Sequence, residues 1–379
     1  MKPVRKICYI TGTRADFGLM QSTLQRIQQS EMLELSIIVT GMHLLREYGL
    51  TVSQIEAAGL PIAARVAVED GPPTGALMAK NVGRTLIGQV EALETIRPDI
   101  VMVLGDRGEM LAGALAAIHL NIPVVHIHGG ERSGTVDEPV RHAISKLAHF
   151  HFVATDESKM RLVRMGEVAD RISVVGAPGL DGLSETVLVN RQTLCAGVGF
   201  DPARPVALLV YHPVLQEADR AGEYAALIVD AVLAKGFQIM ALKPNSDAGS
   251  AGVRAVFEAR AAAGDIRLAT QLTRPEFVSW LAASNVLVGN SSSGIIEAAT
   301  FGTPVVNIGS RQHLRQRNSN VIDSPVDRAG LDDALACALA SPWLDRYNIY
   351  GDGRAGERIA ELLAIIDLSE SSVAKTNVY

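Results

Sequence analysis

The chain has 379 residues, enough at roughly 100 to 200 residues per domain for two domains with separate cores. Lysine and arginine total 35 against 41 acidic residues, a net charge of −6, which argues against a nucleic-acid binder relying on bulk positive charge. Hydrophobic residues make up 48% and aromatics 4%, so the chain is expected to be globular with an aliphatic core.

Elements follow one another in a regular order. The apolar run of the N-terminal MKPVRKICYITGT is too short for a signal peptide and is broken by Thr11. Within it VRKICYI reads as a strand, followed by a helix from about Gly18, then the strands ELSIIV and DIVMVLG. After these come LAGALAAIHL (helix), IPVVHI (strand), VRHAISKLAHF (helix), HFVAT (strand) and SKMRLVRMG (helix). The most apolar stretch, Leu111 to Ile127, contains Asn121, Pro123 and two histidines, so no membrane span is expected.

Glycine and proline punctuate residues 176–205 without a clear strand, which places a hinge near residue 180. The alternation restarts with PVALLVY, a helix over 218–234, FQIMAL, a helix near 251–262, IRLA and a helix from Pro275. NVLVG, a helix from Ser293 and TPVVNIG follow, then a last helix over about 353–366 and a polar tail expected to fray. Near-continuous apolar strands between amphipathic helices indicate parallel βαβ units. The expected fold is therefore α/β, with two doubly wound Rossmann-like domains facing a cleft. Cys8, Cys195 and Cys337 form neither a CxxC pair nor a disulfide framework, which points to the reducing cytoplasm.

In such sheets ligands sit beyond the carboxyl ends of the strands, so chemistry is sought there. The first loop lacks GxGxxG but offers Arg14, suited either to a phosphate or to a surface pair with Asp16. After DIVMVLG, Asp106 fits an acid or base and equally a helix cap. Six of the nine histidines lie between His119 and His151, and PVVHIHGGERSGTVDEPVRHAISK gathers His126, His128, Glu131, Asp137, Glu138 and His142 in one unit. His126 and His128 would share a face of an extended strand, but no zinc-type pattern accompanies them and no metal is expected. Asp137 fits the N-cap of the next helix, with Val140, Ala143, Ile144 and Leu147 buried and Arg141, His142, Ser145 and His149 on the polar side. Three acidic groups and several histidines around one turn favour acid-base chemistry.

In the second half, His212 ends one strand and Asn245 the next. Gly289-Asn290-Ser291-Ser292-Ser293-Gly294, between a strand and a helix, leaves amides and hydroxyls open for a diphosphate, with Glu297 one turn on for ribose hydroxyls and Arg311 adding a cation.

Taken together, TGTRADFG, VTGMH, GDRGE, HIHGGE with SGTVDE and RHAISKLAH, then HPV, GNSSSGIIEA and FGTPVVNIGSRQ resemble the hydrolysing UDP-N-acetylglucosamine 2-epimerases of sialic acid and related nonulosonate synthesis. The resemblance runs from about residue 5 to 360. It implies the GT-B glycosyltransferase-like architecture, with a C-terminal helix crossing back to the first domain: residues 1–178 plus 355–379 would form one domain and 179–354 the other. It further implies that Arg14, His142, Asn245, Asn290, Ser291, Ser292, Glu297 and Arg311 bind the UDP-sugar. Asp106, His128, Glu131, Asp137 and His212 would carry the catalysis.

The implied reaction is anti elimination of UDP to a 2-acetamidoglucal followed by hydration, giving N-acetylmannosamine without a cofactor. A cytoplasmic homodimer or homotetramer with no nucleic-acid or membrane partner is implied. Where sialic-branch members read HIEGGE this chain has His128, as do relatives acting on nucleotide-linked 2,4-diacetamido-2,4,6-trideoxyglucose. That sugar is the alternative substrate, and a GT-B glycosyltransferase is the alternative class.

Overall fold

The computed structural model describes residues 4–134, 136–341, 346–369, 374–376 and 378. Seven strands form the first sheet: β1 (Arg5–Thr11), β2 (Leu33–Thr40), β3 (Ile62–Val66), β4 (Ile100–Leu104), β5 (Val124–Ile127), β6 (Phe150–Val153) and β7 (Ile172–Val174). The second holds β8 (Val206–Val210), β9 (Gln238–Leu242), β10 (Arg267–Ala269), β11 (Val286–Gly289), β12 (Val305–Ile308) and β13 (Val321–Ser324). All pairings are parallel, in the orders β3-β2-β1-β4-β5-β6-β7 and β10-β9-β8-β11-β12-β13. Each sheet reverses its winding once, between β1 and β4 and between β8 and β11. The loops leaving these four strands therefore border a crevice.

Local sequence explains the elements that frame it. The first helix, Arg14–Gln29, begins four residues earlier than expected because Thr13 and Asp16 form a reciprocal capping box. Phe17, Met20, Leu24 and Ile27 then fall on one buried face, each contributing about 2 kcal/mol of burial. Ile359 and Leu363 of the last helix, Ala355–Ile365, join the same cluster. The helix start is held by Asp181, whose carboxylate accepts from the Ala355 and Gly356 amides at 2.8 and 2.6 Å. Ala177 N–H donates to the Tyr350 carbonyl at 2.8 Å, so the two passages between the sheets lie side by side.

Several elements lie outside the expected ones: β3, the long helix Gly75–Ile96, β7, helix Arg191–Val198 within the Gly/Pro-rich stretch, β13 and helix Arg328–Ala340. β3 and β13 occupy sheet edges, where burial alternates or is partial, so neither presents a continuous apolar run. The tail does not simply fray. Lys375 donates to Glu167, and Val378 N–H donates to Gly166 at 2.9 Å; residues 370–373, 377 and 379 lie outside the described residues. Among the described residues no helix is long and apolar enough to cross a membrane.

Candidate functional site

The loop after β1 is organised by Asp16. Its buried carboxylate accepts from the Gly12 and Thr13 amides at 3.0 and 2.8 Å and from the Thr11 hydroxyl. Burial nonetheless raises its pKa to about 6. With Asp16 so engaged, Arg14 is not its ion-pair partner. Arg14 instead crosses the crevice and donates to the Leu272 carbonyl at 2.7 Å.

Beyond β4, Asp106 does not cap the following helix, whose N-cap is Arg107. Its carboxylate pairs with Arg141, a guanidinium only 1% exposed. Arg141 also donates to the Glu131 carbonyl and the Ser133 hydroxyl at 3.2 and 3.3 Å. The expected polar side of helix Asp137–Leu147 is thereby corrected: Arg141 and Ser145 are buried and Ala143 is exposed. A charged side chain points inward here because a carboxylate waits for it. Asp137 is corrected too, since the N-cap is Val136 and Asp137 opens the helix itself.

His126 lies in β5, wholly buried. Burial lowers its pKa to about 3, so its ring is neutral. Nε2–H donates to the Gly105 carbonyl at 2.7 Å, and Nδ1 accepts from the Ser145 hydroxyl at 3.0 Å. The alternation expected to place His128 on the same face ends at Ile127, because His128 turns into the left-handed region with φ 62°. Its Nδ1 lies 2.5 Å from Glu131 Oε1, and Glu131 pairs through its other oxygen with Arg315 of the second domain. Burial, reinforced by Arg315, lowers the His128 pKa to about 3. Nδ1–H is thus the donor to Glu131.

Opposite stand the loops of the second sheet. His212 Nδ1 accepts from the Asn245 amide at 3.3 Å, and Asn290 brackets the His212 backbone, accepting from its N–H and donating to its carbonyl, both at 2.8 Å. Burial and the nearby Arg311, Arg107 and Arg14 push His212 down to about 3. The strongly positive setting around this imidazole is suited to an anion. Arg311 donates to the Asn290 carbonyl at 3.0 Å and lies 3.3 Å from Asp137. Gly134 N–H donates to the Arg311 carbonyl at 3.2 Å. A Cβ at Gly134 would sit 1.9 Å from the Ser310 carbonyl oxygen, so only glycine permits this approach.

The helix after β11 starts at Ser292 and runs only to Ile296, followed by a 3₁₀ turn over Ala298–Phe301. So short a helix has little dipole, and cationic charge for a diphosphate has to come from the arginines. Ser291 is its N-cap. Glu297, 2% exposed, is held by Arg274.

Between the two halves lies a cavity of about 600 Å³. Arg14, Asp106 and Asp137 line it from one side, with His212, Asn245, Ser291, Ser292 and Arg311 from the other. His128, Glu131, His142, Asn290 and Glu297 are not on its wall. They stand behind it or support it, and half-buried His142 lies 3.6 Å from Glu138. Leu77, Met78 and Val82 of helix Gly75–Ile96, with Val136 and Val140, line the cavity with apolar side chains. Among the described residues no three His, Cys, Asp or Glu side chains group as a metal site requires. Sequence reasoning did not single out Arg107, paired with Glu109 at 3.3 Å and facing Asp247 at 3.8 Å, nor Arg315. GDRGE carried a signal for Arg107; a lone arginine in a loop carried none for Arg315.

Residues 25–364 match the family model described as UDP-N-acetylglucosamine 2-epimerase. The chain is 51% identical over 376 residues to the UDP-N,N'-diacetylbacillosamine 2-epimerase (hydrolyzing) of Legionella pneumophila, covering 99% of this chain and all of that one. It is 35% identical to a UDP-N-acetylglucosamine 2-epimerase of Neisseria meningitidis, covering 95% of each. A crystal structure of a UDP-GlcNAc 2-epimerase from Neisseria meningitidis, bound to UDP-GlcNAc, superposes with a TM-score of 0.80. The identity there is 20%, over 94% of this chain and 99% of the other, a likeness of fold.

Proposed function

Because the chain belongs to the UDP-N-acetylglucosamine 2-epimerase family, we propose that it is a hydrolysing 2-epimerase of UDP-linked 2,4-diacetamido-2,4,6-trideoxyglucose. The choice of sugar is carried by the 51% identity, end to end, with the Legionella pneumophila protein named for UDP-N,N'-diacetylbacillosamine. Two features support it. His128 stands where sialic-branch members have a glutamate, and the cavity lining includes Leu77, Met78, Val82, Val136 and Val140, apolar side chains that suit a C6 methyl and a second acetamido group better than hydroxyls. UDP-N-acetylglucosamine is the second reading, favoured by the 35% identity with the Neisseria meningitidis protein.

In this reading residues 1–178 with 355–379 supply proton transfer and 179–354 hold the nucleotide, in a cytoplasmic homodimer or homotetramer. Ser291 and Ser292 receive the diphosphate while Arg14 and Arg311, from opposite sides, neutralise the charge that grows as UDP leaves C1. The C2 proton is weakly acidic beside a neutral C1, so departure of UDP has to lead. Asp106, fixed by Arg141, and Asp137 face the cavity and serve the proton transfers at C2 and C1, with His128 behind the wall as the group to which a proton is passed. Water then adds to C1 of the 2-acetamidoglucal and a proton returns to C2 on the opposite face. Asn290 acts by bracing His212; Glu131, His142 and Glu297 act behind the wall.

The test is incubation with each sugar nucleotide in D2O, followed by NMR of the products. Free UDP with a manno-configured sugar deuterated at C2 is expected, with kcat/KM higher for the diacetamido substrate. Retention of the C2 proton overturns the mechanism, and a preference for UDP-N-acetylglucosamine reverses the choice of sugar. Asp106→Asn is expected to lower turnover at least about 1000-fold while UDP binding by calorimetry is preserved.

A further inference from the structure

Arg315 sits in the loop after β12, on the second sheet, yet its guanidinium ends beside Glu131 in the loop after β5 of the first. Its side chain is 8% exposed and that of Glu131 4%. Glu131 Oε2 and Arg315 Nη1 have no other hydrogen-bonding partner among the described residues and face each other. Burying a guanidinium this far is costly unless something is gained from its charge, and what lies beyond it is informative. Glu131 turns its remaining oxygen, Oε1, to His128 Nδ1.

We propose that Arg315 is a positioning residue: supplied by the second domain, it holds Glu131 so that Glu131 accepts Nδ1–H of His128 and leaves Nε2 as the proton-accepting atom. The proposal rests on the 2-epimerase reading above and adds to it a residue that makes its base competent only while the two domains are together. The arrangement is a cation, a carboxylate and an imidazole in series, in which the carboxylate selects the tautomer.

The surrounding charges have been placed as well. Arg141 and Arg161 donate to the carbonyls of Glu131 and Gly130 rather than to the carboxylate. From the second domain, Glu297 opposes the lowering of the His128 pKa by burial and by Arg315, and Tyr350 lies near Arg315. Of these groups only Arg315 meets the Glu131 carboxylate.

Kinetics of Arg315→Met and Arg315→Lys test the assignment, read as pH profiles of kcat and kcat/KM on whichever sugar nucleotide the wild-type enzyme turns over. Arg315→Met removes the cation and lets His128 hold a proton more tightly. The acidic limb is therefore expected to move up by about 1 to 2 pH units, with kcat at pH 7 about 100-fold lower and KM within about threefold. Arg315→Lys keeps the charge without the planar fork, so the limb returns to its wild-type position while kcat recovers in part. A residue that merely ties the domains together would raise KM or lower the melting temperature and leave the limb in place; that result overturns the proposal.

If Arg315→Met does not fold, ¹⁵N NMR of histidine-labelled wild-type protein decides, with His128→Gln identifying the resonance. A neutral, Nδ1-protonated ring at pH 7 supports the assignment, and an Nε2-protonated or charged ring refutes it. Failure of the wild-type enzyme to place deuterium at C2 would be a failure of the 2-epimerase reading, whereas a normal wild type with an unmoved Arg315→Met profile is a failure of this inference alone.

Discussion

His126, His128 and His212 are each pushed down to about 3, and in each case burial is the largest cause. All three have folded-state values below the unfolded value near 6.5. The unfolded chain therefore takes up protons first, and their contribution to stability, complete above pH 6.5, is lost as the pH falls towards 3. Asp16 acts in the opposite sense. Raised to about 6 from 3.8, it returns stability as the pH drops through 6. His43 and His149 are lowered too, to about 4, so the lowered imidazoles outnumber the one raised carboxyl and stability is expected to fall as the pH drops from about 6 to 4. Urea unfolding at pH 7, 6 and 5 is expected to show the midpoint falling steeply, and His212→Gln should flatten the slope; a midpoint constant over this range would contradict the assignment of neutral buried imidazoles.

Between the domains, the decisive element is the loop that carries Arg311 and Arg315 out of β12. It meets the loop after β5 at Gly134, where no side chain fits. Gly134→Ala is accordingly expected to separate the loops, raising KM about tenfold or more and enlarging the particle in small-angle X-ray scattering. The melting temperature should change little, since neither core is touched; an unchanged KM would show that the approach is not needed for binding. The sequence made the central strands plain, because β4 and β8 are apolar along their whole length. It hid β3 and β13, which lie at edges with partial burial. Strand-end residues such as Asp106, His212 and Ser291 were legible from their positions after apolar runs. Arg141 was not, because a charged helical residue is ordinarily solvated and its carboxylate partner lies 35 residues away. Arg315 was hidden for a similar reason: nothing local announces that its counter-charge belongs to another domain.

Across the whole molecule, the net charge of −6 works against capture of an anionic nucleotide at long range. Local arginines have to do what the overall field does not. The cores are likewise unequal in how they are completed, because the first sheet borrows Ile359 and Leu363 from the end of the chain. Leu363→Ala is expected to cost about 2 to 5 kcal/mol and to speed hydrogen exchange in β1 and β2 while β8 and β9 stay protected. Equal acceleration in both sheets would mean that the two cores unfold as one unit. The same borrowed helix has a consequence during synthesis. A ribosome that has made β1 to β7 has not yet made the segment that closes their core, and the whole second sheet emerges first. The first domain to be translated is thus finished only after the second sheet, its apolar face open to chaperones until helix Ala355–Ile365 leaves the exit tunnel.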